Sequence, residues 1–113
     1  MPDRIVFNIC IPLTDGETGL AHPPETLQDW LESTVLSFGG ATVIGIALLG
    51  LWYDEDRSAA ENPVEDHSNW YKVAVKPEDE PRLRKHVRDA ASRFGQRCIY
   101  LERAGEAEFV WRG

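Results

Sequence analysis

The sequence predicts an α+β fold: one antiparallel sheet carrying two helices, in the order β-α-β-β-α-β. Three observations lead there. Residues 27–38 and 83–94 each repeat apolar side chains at helical spacing. Apolar β-branched runs precede the first helix and follow the second. Two further extended runs lie between the helices. The chain has 113 residues, 42% hydrophobic and 27% charged, so one domain with its own core is expected. Disorder and a collagen-like fibre do not fit that composition.

Each element has a local reason. Residues 4–13, RIVFNICIPL, are β-branched and apolar and predict a strand buried on much of both faces. Residues 14–24 are a loop rich in Gly, Asp and Pro. Pro23 and Pro24 open a helix, because proline is tolerated in a first turn. Leu27, Trp30, Leu31, Val35 and Phe38 form its apolar stripe, and Gly39-Gly40 stop it. Glu25 and Asp29 suit its N-terminal end through the helix dipole. Residues 41–54, ATVIGIALLGLWYD, predict a long strand bulged or bent at Gly45 or Gly50.

Residues 54–69, DEDRSAAENPVEDHSN, are expected as an acidic loop. Residues 70–76, WYKVAVK, alternate: Tyr71, Val73 and Val75 share one face, Trp70, Lys72, Ala74 and Lys76 the other. Glu78-Asp79-Glu80-Pro81 starts a second helix, with Leu83, Val87, Ala90, Ala91 and Phe94 on one side and Gly95 as its stop. Residues 98–102 are a strand, 104–106 a turn and 108–111 a short last strand, which leaves room for a C-terminal hairpin. This order is the ferredoxin-like split βαβ arrangement, with both helices on one face of the sheet. The open face of such a sheet is a natural place for a second subunit, so a homodimer through that face is expected. Trp52, Trp70, Tyr100 and Trp111 fall on predicted strands. They either fill the core or form an apolar patch that marks an interface.

Charge narrows the partners. The net charge is −7. Residues 1–70 hold 12 acids and two bases, whereas residues 71–113 hold seven acids and ten bases. Six bases, Arg82, Arg84, Lys85, Arg88, Arg93 and Arg97, lie on or just after the second helix. That helix face (82–97) is either simply solvated or a contact for another protein, as is the acidic loop 54–69. Nucleic acid is not the expected partner, because the acidic half repels phosphate. Cys10 and Cys98 are too few for a disulfide framework and read as buried free thiols on neighbouring strands. Residues 33–53 are 21 in a row without charge, long enough to span a bilayer. Four glycines interrupt them and acidic residues flank both ends, so no membrane span is expected. Met1-Pro2-Asp3-Arg4 lacks the basic start of a signal peptide, and a cytoplasmic location is the expectation.

Candidate sites follow from spacing. Asp54, Asp56, Ser58, Ala60, Asn62 and Glu65 fall at positions 1, 3, 5, 7, 9 and 12 of a calcium-loop template. Ala59 stands where that loop needs glycine, and a strand precedes it. The stretch is therefore either an acidic surface loop or a cation site built on Asp54, Asp56 and Glu65. His67 follows Glu65-Asp66, and a carboxylate beside a histidine can tune a general base, which makes His67 and Glu65 the catalytic candidates. No nucleophile elbow, P-loop, dinucleotide fingerprint or C-x-x-C occurs, and no cofactor is expected.

Phe38-Gly39-Gly40-Ala41-Thr42, Gly50-Leu51-Trp52, Glu65 before a strand, and Arg93-Phe94-Gly95-Gln96 before the last strand form an FGGxT / GxW / FGQ pattern. Across residues 38–101 it resembles short uncharacterised bacterial proteins thought to be ferredoxin-like. The resemblance implies the fold and no chemistry. If its positions group in space, Trp52, Glu65, His67 and Gln96 are the cluster, with Tyr71 close by as a ligand contact. Three functions are then open. One is a small cytosolic binding or regulatory domain acting through protein–protein contacts, as a homodimer. Another is an acidic phage or mobile-element inhibitor of a nucleic-acid enzyme. The third is a small dimeric ferredoxin-like enzyme using His67 and a carboxylate.

Overall fold

The computed structural model describes residues 3–110 and residue 112. Strand β1 (Arg4–Pro12) leads to helix α1 (Pro24–Phe38), strands β2 (Thr42–Trp52) and β3 (Val64–Val75), helix α2 (Glu80–Arg93) and strand β4 (Tyr100–Ala107). The four strands form one antiparallel sheet in the order β2-β3-β1-β4. This is the predicted α+β, ferredoxin-like order, with β1 and β3 in the centre.

Alternation explains the core. Ile5, Phe7, Ile9 and Ile11 of β1 and Tyr71, Val73 and Val75 of β3 face the helices. Trp30 of α1 and Leu83, Val87, Ala90 and Phe94 close over them. The helices run side by side and are tied at both ends. Arg82 donates to the Ser37 carbonyl (2.9 Å) and lies over the Phe38 ring, while Arg93 approaches Asp29 at 3.9 Å. Val35 departs from the expected stripe: it is exposed, and Thr34 is buried in its place. The Thr34 hydroxyl donates to the Trp30 carbonyl (2.8 Å) and lies 2.8 Å from His86 Nε2. Satisfied in this way, a hydroxyl can be buried without a desolvation penalty.

Several boundaries move. β3 begins at Val64 rather than Trp70, so Glu65, Asp66 and His67 are strand residues. The acidic loop shrinks to residues 53–63. β2 is bulged near Gly45, as expected, and again before Leu48, with Ala47 at φ 52°. The Asn69 side-chain oxygen accepts the Ala47 N–H there (3.0 Å). Residues 104–106 are not a turn: β4 runs through them with a bulge opposite Val6 and Phe7. No strand follows among residues 108–110, so no C-terminal hairpin forms there, and Trp111 lies outside the described residues. Cys10 is buried but Cys98, just ahead of β4, is exposed.

β1–β3 pairing ends at Pro12 opposite Ser68. The Leu13 N–H still donates to the His67 carbonyl (2.9 Å), whereas residues 64–66 of β3 pair in the sheet only with β2, so this hairpin projects past β1 by about 10 Å before its loop begins. Residues 33–53 divide between the end of α1 and β2. No helix among the described residues is long and apolar enough to cross a membrane.

Candidate functional site

The open sheet face carries a cleft of about 580 Å³. Topology builds it. β1 lies between β3 and β4, so Trp70 and Tyr100 both stand opposite Cys10 in register. The Trp70 and Tyr100 rings meet edge to face at 5.6 Å, and Trp52 from the end of β2 reaches Tyr100 at 6.0 Å. Cys10, Val64, Ile99 and Leu101 add apolar lining, and Asp54, Glu55, Asp66, Gln96 and Arg97 supply polar groups. Burial pushes the Cys10 thiol pKa up, and the nearby Asp66 charge pushes it the same way against the Ser68 hydrogen bond. The Tyr100 hydroxyl donates to Glu102 (3.1 Å), and that bond to the carboxylate raises the phenol pKa.

Arg97 locks the cleft mouth. Its guanidinium donates to Asp56 (2.6 Å) and Asp54 (3.0 Å). The Asp54 pKa is lowered, first by the Asp56 backbone N–H and then by Arg97 and Arg57. Asn62 closes the loop behind. Its oxygen accepts the Asp54 N–H (2.8 Å), and its NH₂ donates to the carbonyls of Asp54, Arg57 and Ser58 at 2.9 to 3.4 Å. The carbonyls of this loop thus converge on an amide.

The expected site residues part company. Trp52, Gln96 and Asp54 all line the cleft. Tyr71 does not: it is 2% exposed on the helix side of the sheet, against Trp30 at 5.1 Å. Its hydroxyl accepts from Asn69 (3.3 Å), and burial raises its pKa. Glu65 and His67 are exposed near the start of β3 and line neither that cleft nor the groove beside α1. They share the parity of Tyr71, so they point to the other side from Asp66. Asp54 and Asp56 come together on Arg97, while Glu65 stands apart in β3. No group of three or more His, Cys, Asp or Glu able to hold a metal occurs among the described residues. Gln96 also braces the loops beside the cleft, since its NH₂ donates to the Thr14 (2.7 Å) and Phe94 (2.9 Å) carbonyls.

Tyr100, Asp66 and Arg97 line the cleft and Trp70 backs Tyr100 beside it, and site motifs miss all four. Alternation in WYKVAVK already sets Trp70 on the face away from Tyr71. With β1 placed between β3 and β4, the same logic puts Trp70 and Tyr100 together over Cys10.

Five of the six basic residues expected to make a charged surface pair with carboxylates of this chain: Arg82 with Asp79, Arg84 with Glu80, Lys85 with Asp89, Arg93 with Asp29, and Arg97 with Asp54 and Asp56. No protein-family model matches this chain, and no curated protein matches it. Of the FGGxT / GxW / FGQ pattern, Trp52 and Gln96 both line the cleft, while Gly39 and Gly40 lead from α1 into β2.

Proposed function

We propose that this protein is a small binding domain that acts through protein–protein contacts, and that it works as a homodimer whose copies meet along β2. The carrying observation is β2 itself. It is an edge strand, uncharged throughout, yet Val43, Ile44, Ile46, Leu48, Leu49, Leu51 and Trp52 each leave 39% to 71% of their surface in water. Counted over both faces of the strand, these exposures amount to on the order of 700 Å² per chain, near the ~800 Å² per partner of a stable interface. An unpaired edge with no charge or proline in it is a template for another strand.

A second copy is the occupant that suits this surface. Two β2 strands related by a twofold axis present the same apolar residues to each other, which is the commonest form of closed assembly. An apolar groove lined by Leu27, Leu31, Val43 and Ile46 runs beside the strand and extends the surface onto α1. The bulges before Leu48 leave residues 48–52 as the regular stretch for pairing. The aromatic end of β2 brings Trp52 to the margin of both the edge and the open face.

Light scattering on a sizing column tests this. The expected mass is twice the 12.8 kDa of the chain. Leu49→Asp and Ile46→Lys, both on exposed β2 positions, are expected to give folded monomers by circular dichroism. A wild-type monomer at about 100 µM overturns the reading, since a Kd of even ~10 µM would show there.

A further inference from the structure

Apart from Trp52, which stands at the margin of both, the cleft on the open face carries chemistry that association along β2 does not use. We propose that it binds a small organic cation, an ammonium on an alkyl or aromatic body, held between the Trp52 and Tyr100 rings and the Asp66 carboxylate.

Ring faces come first. Trp52 and Tyr100 are inclined at 44° and remain 39% and 45% exposed in the cleft. Their π faces carry negative potential and attract a cation. The Tyr100 hydroxyl is already committed to Glu102, so its ring is the part left for a ligand. Charge comes second. Arg97 is shared by two carboxylates, so it leaves no positive charge for an anion. Asp66 is half-buried, accepts a long hydrogen bond from the Ser68 hydroxyl (3.5 Å), and pairs with no Lys or Arg among the described residues. A carboxylate drawn out of water without a cation is costly, and a bound ammonium supplies the partner. Glu55 adds a second negative charge at the rim.

The third observation is Gly50. A Cβ built on it would stand 2.6 Å from Trp52 Nε1 and 2.7 Å from Asp66 Oδ1. Any larger residue would therefore drive the indole and the carboxylate away from their present places. The gap in β2 is what lets ring and charge adjoin. The cleft volume falls in the usual range for small-ligand sites, roughly 300–1,000 Å³.

The test uses the full chain with choline as the probe cation. Its neutral counterpart, 3,3-dimethylbutan-1-ol, has the same shape without the charge. Binding is read from the indole N–H resonances of Trp52 and Trp70 in the ¹⁵N-labelled protein. Choline is expected to shift Trp52 saturably, and the alcohol to bind about tenfold more weakly or worse. Asp66→Asn is expected to weaken choline about five- to tenfold while leaving the alcohol unchanged. Trp52→Phe keeps part of the affinity and Trp52→Ala loses it. Equal binding of the two probes, or equal binding by Asp66→Asn, overturns the proposal and leaves an apolar pocket only. Absence of a saturable shift overturns it outright. Asp66 lies on β3, one strand in from the β2 edge, so the Asp66→Asn mass stays that of the wild type whichever way self-association falls.

Discussion

Replacing Gly95 by alanine probes how the end of α2 is joined to the first loop. Gly95 sits at φ 65°, in the left-handed region, where a Cβ costs about 1–2 kcal/mol. The same Cβ would land on the Asp15 carboxylate. Asp15 organises its own loop, accepting the N–H groups of Glu17 (2.7 Å) and Thr18 (3.0 Å), while Gly16 N–H donates to the Gly95 carbonyl (3.1 Å). Alanine at 95 must therefore push Asp15 aside as well as strain the backbone. The loss in wild-type background is expected to exceed the backbone value. In an Asp15→Ala background the collision is gone, and only about 1–2 kcal/mol remains. Urea unfolding of the four proteins, with unchanged m-values, measures the difference. Equal losses in both backgrounds refute the collision. A loss under about 0.5 kcal/mol in the Asp15→Ala background refutes the backbone argument.

The remaining predictions concern pH and calcium. His86 packs on Trp30 (5.5 Å) and Phe38, and burial lowers its pKa, with Asp89 opposing and Arg82 adding to the shift. The unfolded chain then binds the proton better, so stability is full above about pH 6.5 and falls as pH drops from there toward the lower folded value. His86→Gln keeps a polar group for Thr34 and is expected to flatten that fall in melting temperature; parallel curves would sink the assignment. Calcium is expected to leave the melting temperature unchanged, with or without EDTA, because the Asn62 amide and Arg97 already satisfy the loop oxygens. A rise reversed by EDTA contradicts this.

Where burial and alternation coincide, the sequence is readable. β1, α1 and α2 each pack one recurrent face on the core, and Phe7, Trp30 and Leu83 fall inside as their spacing requires. Residues 64–69 are different. Glu65 and His67 face water on one side while the polar Asp66 and Ser68 take the more buried positions on the other, so EDHSN shows no apolar alternation and resembles a loop. β2 misleads in the opposite direction: its apolar run suggests burial within the chain, yet it occupies an edge. Thr34 displaces Val35 because His86 and the Trp30 carbonyl, distant or hidden in the sequence, satisfy its hydroxyl. At the site, Trp52 and Gln96 are found through a shared motif. Tyr71 and His67 are lost to the period of two in β3, which sends them away from the cleft. Arg97 holding Asp54 and Asp56 spans some forty residues and has no local signature.

The strand order also sets a timetable. The Asn8 amide donates to Glu102 across a separation of 94 residues. Synthesis at about 5–20 residues per second puts some 5–20 s between the two. During that interval β2 and β3 can pair, and β3 can find β1, but the other side of β1 has no strand to meet. The central strand of the finished sheet is thus an edge throughout most of translation. Until β4 is made, that side of β1 keeps its backbone N–H and C=O groups open to any strand that meets them. Completion of the sheet is the last folding event, and the cleft, with Tyr100 on β4, comes into being only then.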